Sequence, residues 1–201
     1  DHNGSRGLGD VYKRQTPYIQ MTIEIMKAFG AQVDSSKPNS YTVHPTGYVG
    51  RDDEIETDAS TASYFFAAAA ASKGRVVVNG IGSNSIQGDL EFVEILQQMG
   101  AQTLIRPNSV EVTGPTRLDG IDVSMKNISD TAPTLASIAP FASSPVRVTD
   151  IGFIQHKESD RVTAVVTELQ KLGIDASIED DGFVIKPGLP NGNFVLSYDD
   201  H

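Results

Sequence analysis

Residues 88–114, GDLEFVEILQQMGAQTLIRPNSVEVTG, decide the fold, because the same signals return at residues 159–187 as SDRVTAVVTELQKLGIDASIEDDGFVIKP. In the first stretch Leu90, Val93 and Leu96 share one helical face, and the pattern stops at Gly100. In the second, Val162, Val165, Val166, Leu169 and Leu172 form a stripe that stops at Gly173. Apolar residues three and four apart line one side of a helix, and a glycine just past the last of them is a C-cap signal. Two short β-like runs follow each glycine. They are QTLI and SVEVTG with Pro107-Asn108 as the turn, then DASIE and FVIKP with Asp181-Gly182 between them. A third copy of this half-pattern lies upstream, where Ile19, Ile23 and Met26 lead to Gly30.

Working outward, each of the two later stretches is preceded by a helix rich in small residues and a β run. DASTASYFFAAAAASKG, from Asp58, leads into RVVVNG; SDTAPTLASIAPFASS, from Ser129, leads into PVRVTDIG. Pro133 fits the first turn of its helix, whereas Pro140 lies deeper and should shorten it. The repeating unit is therefore strand, helix, strand, helix, strand, strand. The expected class is mixed α and β (α+β), built from repeated βαβαββ units at about 57–115 and 119–188. Residues 1–15 have neither period and read as a foreign leader.

Composition narrows the function. The chain has 201 residues, no Cys and a formal net charge of −10. That balance argues against nucleic-acid binding, which needs basic surface. Disulfide and thiolate chemistry are excluded, and no apolar run is long enough to span a bilayer. No His has neighbours at metal-ligand spacing, so no metal is expected.

Charge is concentrated at HKESDR, residues 156–161. Lys157 and Arg161 stand four apart, and Glu158 and Arg161 three apart, just before the Val162 stripe. One reading is a capped helix start with solvated ion pairs. The other is an anion site, because two cations at a helix N-terminus disfavour the helix unless an anion joins them. Asp130, at the start of SDTAPT, reads as a helix cap or as a carboxylate of that same site, and Asp58 as a cap. Equivalent helices in stacked units tend to point the same way, which would gather these groups at one end. His44 and His156 read as ordinary surface or packed histidines.

GDLEFVEILQQMGA, DASTASYFFAAAAASKG, ISDTAPTLA and KESDRV, with PYIQMT at residues 17–22 and YDDH at 198–201, together resemble the second half of the 5-enolpyruvylshikimate-3-phosphate synthase family. The resemblance implies a two-domain protein with three βαβαββ copies per domain. Residues 16–56 would be the tail of the first domain and 57–201 part of the second. It also implies enolpyruvyl transfer from phosphoenolpyruvate to the 5-hydroxyl of shikimate 3-phosphate, with no metal or organic cofactor, in a cytoplasmic monomer.

By the same resemblance Asp130 accepts the attacking hydroxyl's proton and Glu158 protonates the methylene carbon. Lys157 would contact shikimate 3-phosphate and Arg161 the phosphoenolpyruvate carboxylate. Tyr18 would face the shikimate hydroxyls, with core packing as its alternative, and His201 matches a histidine of the substrate site. Gln15-Thr16 stands where the family has a serine and a basic residue, and Phe153 where it has asparagine. As a truncated chain, the protein is expected to be inactive alone. Rival readings are the UDP-N-acetylglucosamine enolpyruvyl transferase, a non-catalytic anion-binding repeat module, and an RNA-end-modifying enzyme.

Overall fold

A computed structural model describes residues 16–38, 40–157 and 159–198. Helix α1 (Thr16–Ala28) is followed by the hairpin β1 (Val33–Lys37) and β2 (Ser40–Val43). Then come α2 (Ala59–Ser72), β3 (Arg75–Asn79), a 3₁₀ turn (Gly88–Glu91), α3 (Phe92–Gln98), β4 (Gln102–Arg106) and β5 (Ser109–Thr113). The last set is β6 (Asp122–Ser124), a 3₁₀ turn (Ser129–Thr131), α4 (Ala132–Ile138), β7 (Val146–Thr149), a second 3₁₀ turn (Gly152–His156), α5 (Arg161–Lys171), β8 (Ala176–Glu179) and β9 (Gly182–Ile185).

The three glycines end their helices as their spacing predicts. Gly30, Gly100 and Gly173 have φ of +88°, +98° and +78°. Each is flanked by the same pair of backbone bonds, Ala31 N–H to the Met26 carbonyl, Ala101 to Leu96 and Ile174 to Leu169, with the glycine N–H closing the inner turn. This is the Schellman arrangement, which satisfies carbonyls that a helix end leaves orphaned. Pro140 acts as expected: α4 stops at Ile138 and a 3₁₀ turn carries the proline.

The unit at 119–188 is complete. Its sheet runs β6-β7-β9-β8, with β6 and β7 parallel across the α4 crossover and the other pairs antiparallel. The unit at 57–115 is shorter by one strand. Its sheet is β3-β5-β4, all antiparallel, and among the described residues no strand lies between β2 and α2. The segment there, RDDEIET at 51–57, has four acids and an Ile55 that is 94% exposed, so it has no apolar face to lay on a sheet. It is pinned at its end, where Thr57 N–H donates to the Gly80 carbonyl (2.9 Å) and Thr57 Oγ1 to the Asn79 carbonyl (2.8 Å).

A second departure concerns the β8–β9 turn. The two connecting residues are Asp180 and Asp181, not Asp181-Gly182. Gly182 already belongs to β9, where a Cβ would sit 1.9 Å from the Val148 carbonyl oxygen of β7. No side chain fits that approach, so the turn shifts back by one residue onto Asp180, at φ +43°.

Both units share one core. Phe66, Phe92, Leu96 and Met99 of the first meet Met125, Leu135, Ile151 and Phe183 of the second, all fully buried. Each such side chain contributes about 1.5–3 kcal/mol on leaving water. The small residues of α2 and α4 let these helices pack closely, and at the contact Ser63 Oγ and Thr134 Oγ1 lie 3.0 Å apart, both buried. Among the described residues no helix is long and apolar enough to cross a membrane.

Candidate active site

The packing of α2 against α4 brings the start of both helices to one end of the molecule. Asp58 caps α2 by accepting from Thr61 N–H (2.8 Å), and Gln87 Oε1 accepts from Ala59 N–H (2.8 Å). The reading of Asp58 as a cap therefore stands. Gln87 also ties the chain entering α2, donating to Glu56 (2.8 Å) and to the Thr57 carbonyl (2.9 Å).

Asp130 lies in the 3₁₀ turn that opens α4, with its side chain 29% exposed. Its Oδ1 accepts from Lys157 Nζ and from Arg161 Nη1, the latter at 2.9 Å. Lys157 is 10% exposed and Arg161 23%, so these ion pairs are shielded from much of the solvent that weakens surface bridges. Burial would raise the Asp130 carboxyl, but Lys157 and then Arg161 hold it below the usual carboxylate range.

The cations meet for a different reason than helical spacing suggests. Only Arg161 is in α5; Lys157 precedes it, at the end of the 3₁₀ turn of residues 152–156. Asp160 interrupts the helix between them as its N-cap, accepting from Thr163 N–H (3.0 Å). The first-turn N–H groups of α5 thus have a carboxylate partner, and the anion that gathers the two cations is Asp130. Glu158 and His201 lie outside the described residues.

Tyr18 extends this group to a third element. It sits in the first turn of α1, and its hydroxyl lies 3.2 Å from Asp130 Oδ2 and 3.0 Å from Asp89 Oδ1. The close approach of α1 to the 88–91 turn needs Gly88, where a Cβ would come within 3.0 Å of the Pro17 ring. Burial, and then the charges of Asp89 and Asp130, push the Tyr18 phenol far above its ordinary value, so it stays a neutral hydroxyl. Tyr18 is therefore not plain core packing, because its hydroxyl is held between two carboxylates.

Asp89 was not singled out by sequence reasoning, and neither was Ser60. Asp89 is 4% exposed, and its Oδ2 accepts from Ser60 Oγ in the first turn of α2. Burial pushes its carboxyl above the usual range; hydrogen bonds from Ser60 and Tyr18 pull the other way, and Asp130 and Asp58 add to the rise. By sequence it looks like any acid in a helix's first turn. Phe153 is buried at 6%, as a packing residue should be.

The arrangement can hold a carboxylate in its ionised form, present two positive groups beside it, and keep a neutral hydroxyl on its far side. A groove of about 630 Å³ lies elsewhere, at the C-terminal end of α2 between Ala70, Leu118, Pro140 and Leu189. That end is about 15 Å along the helix from Ser60. Among the described residues, no three His, Asp or Glu side chains come together as metal ligands.

A family model described as EPSP synthase (3-phosphoshikimate 1-carboxyvinyltransferase) matches residues 10–201. A protein of that name from Trichormus variabilis is 43% identical over 185 residues, covering 92% of this chain and 43% of the relative. One from tobacco is 40% identical, covering 92% of this chain and 58% of the relative. Among solved structures, an EPSP synthase from Acinetobacter baumannii superposes with a TM-score of 0.70 at 27% identity, over 83% of this chain and 40% of that one. An enolpyruvyl transferase from Streptomyces tendae, at 18% identity and a TM-score of 0.62, has the same fold. The chain spans about 43% of the length of the first of these relatives.

Proposed function

The chain belongs to the EPSP synthase family, and on that premise we propose that the complete protein moves the enolpyruvyl group of phosphoenolpyruvate to the 5-hydroxyl of shikimate 3-phosphate. The hydroxyl oxygen bonds to the central carbon of phosphoenolpyruvate as its proton passes to Asp130. Glu158 delivers a proton to the methylene carbon, which becomes a methyl group. The tetrahedral intermediate then expels phosphate, which leaves with the proton held by Asp130, and returns a methyl proton to Glu158, restoring the double bond. Positioned proton transfer of this kind contributes about 10²–10⁴-fold.

Lys157 binds shikimate 3-phosphate, and Arg161 binds the carboxylate of phosphoenolpyruvate. Tyr18 and His201 complete the substrate-binding residues on this chain. Residues 16–56 form the tail of a preceding domain, and 57–201 belong to the domain that follows. The protein acts as a cytoplasmic monomer on these two small molecules.

The observation that supports this reading most is the convergence of Lys157 and Arg161 on one oxygen of Asp130. In the chain without substrate, Asp130 is an anionic partner that both cations share. When phosphate and carboxylate groups arrive, they take over the cations, and Asp130 recovers the basicity that the pairing suppresses. A carboxylate that is unreactive at rest and basic when both substrates are bound suits a proton acceptor.

Phosphate release with both substrates tests the reading. The chain completed to the length of its relatives should turn over, and Asp130→Ala and Glu158→Gln should each abolish most of the rate. The 201-residue chain by itself should release none. Undiminished turnover in both variants removes the assigned roles.

A further inference from the structure

The Tyr18 hydroxyl has one proton and two carboxylate oxygens to serve, Asp89 Oδ1 at 3.0 Å and Asp130 Oδ2 at 3.2 Å. One phenolic proton cannot make two full hydrogen bonds, and an ionised carboxylate supplies none of its own. If both acids were charged, one contact would set lone pair against lone pair. A second proton is needed within the group, and the surroundings decide which acid holds it.

Asp130 has Lys157 and Arg161 on its other oxygen. Asp89 is 4% exposed, and among the described residues its side chain meets two hydroxyls and no cation. The titratable groups facing it are Tyr18 from α1, Asp58 at the start of α2, Glu91 on its own turn and Asp130 from the turn before α4; the cations lie beyond Asp130. Among the described residues the charged groups facing Asp89 are negative, and burying an unpaired charge is costly.

We infer that Asp89 carries a proton and is a positioning residue for the transfer: its carboxyl O–H donates to the Tyr18 oxygen, which commits the Tyr18 proton to Asp130. The chain of donors then runs in one direction, from Asp89 through Tyr18 to Asp130, while Ser60 donates to the carbonyl oxygen of Asp89. Its effect is to leave Asp130 as the one ionised acid of the trio and to fix which of its oxygens is occupied by Tyr18. The functional part of this inference rests on the transferase reading above; the proton on Asp89 does not.

Two measurements separate them. In the full chain labelled with ¹³C at aspartate carboxyls, one resonance should stay at the protonated position after the pH has passed the range where ordinary aspartates ionise, about 4, and Asp89→Asn should remove it. A resonance for Asp89 at the ionised position under those conditions overturns the inference, whether or not the protein is an enzyme. In the completed protein, Asp89→Ala should lower kcat by about tenfold or more with KM little changed, as misplacement of reacting groups does. Asp89→Asn, whose N–H₂ donates as the carboxyl does, should recover most of that loss and should lack the decline in rate expected of wild type as rising pH ionises Asp89. An asparagine variant as impaired as the alanine one refutes the positioning role. If the completed wild type is inactive, the transferase reading fails, and the labelled-carboxyl result still decides where the proton is.

Discussion

Asp89 and Asp130 stand on either side of one phenol, yet the first unit pushes its carboxyl up and the second holds its carboxyl down. The difference comes from what each unit sets at the start of its second helix. The first sets Asp89 there, buried against Ser60; the second sets Arg161, which with Lys157 turns toward Asp130. The architecture repeats, while the charged residues at this helix start differ between the units in sign and sit one position apart when Gly100 is matched to Gly173. The repeat thus supplies the scaffold, and burial on one side against two cations on the other sets the two acids apart.

The comparison breaks most decisively at Asp130. Asp130→Ala should lower phosphate release by the completed protein by about 10²–10⁴-fold, the range for a lost proton acceptor. A loss under threefold would show that the two acids are interchangeable.

Next in size is Arg161→Gln, which removes one of the two cations from Asp130. Phosphoenolpyruvate KM should rise about tenfold or more, as expected when a charge-assisted bond of about 1.5–3 kcal/mol is removed. Proton uptake by Asp130, followed by carboxyl NMR, should move to higher pH. An unmoved titration would mean that Lys157 alone sets the environment.

Tyr18→Phe deletes the hydroxyl between the two acids and leaves the ring. The expected cost in urea unfolding is about 1 kcal/mol, the usual net value of a hydrogen bond. A change near zero would show that the hydroxyl only bridges charges that repel each other equally well without it.

The finest test is stability against pH, where the two acids have opposite signs. Asp130, lowered in the folded state, stabilises above the ordinary carboxylate pKa of about 4 and loses that contribution as pH falls through its lowered value. Asp89, raised in the folded state, makes its full contribution below about 4 and loses it as pH rises through the raised value. Asp89→Asn should flatten the second limb and leave the first. A single limb in the wild type would contradict the pairing.

Much of the fold could be read from residues, because helix stripes, glycine stops and paired β runs are local signals. Gly100 and Gly173, Pro140 and the two small-residue helices all behave as their chemistry dictates. The strand expected before α2 could not be judged from the repeat. The second unit has it, but RDDEIET lacks the apolar side that would hold it in place. Asp130, Lys157 and Arg161 were legible as a group, although Lys157 reaches Asp130 from outside the helix, whereas Tyr18 joined them only by family resemblance, with core packing as its alternative. Asp89 and Ser60 were not, since burial and the absence of a nearby cation are properties of the folded chain. Nothing in GDLE or ASTA announces them.

The shared core has a mechanical consequence. Phe66 and Leu135 belong to different units but to the same buried cluster, so neither unit can melt and leave the other's interior dry. Residues 114–121, which lead from one unit to the other, are therefore a tether more than a hinge. Nicked there by a protease, the two pieces should stay clasped and come apart only under denaturant, in a single step.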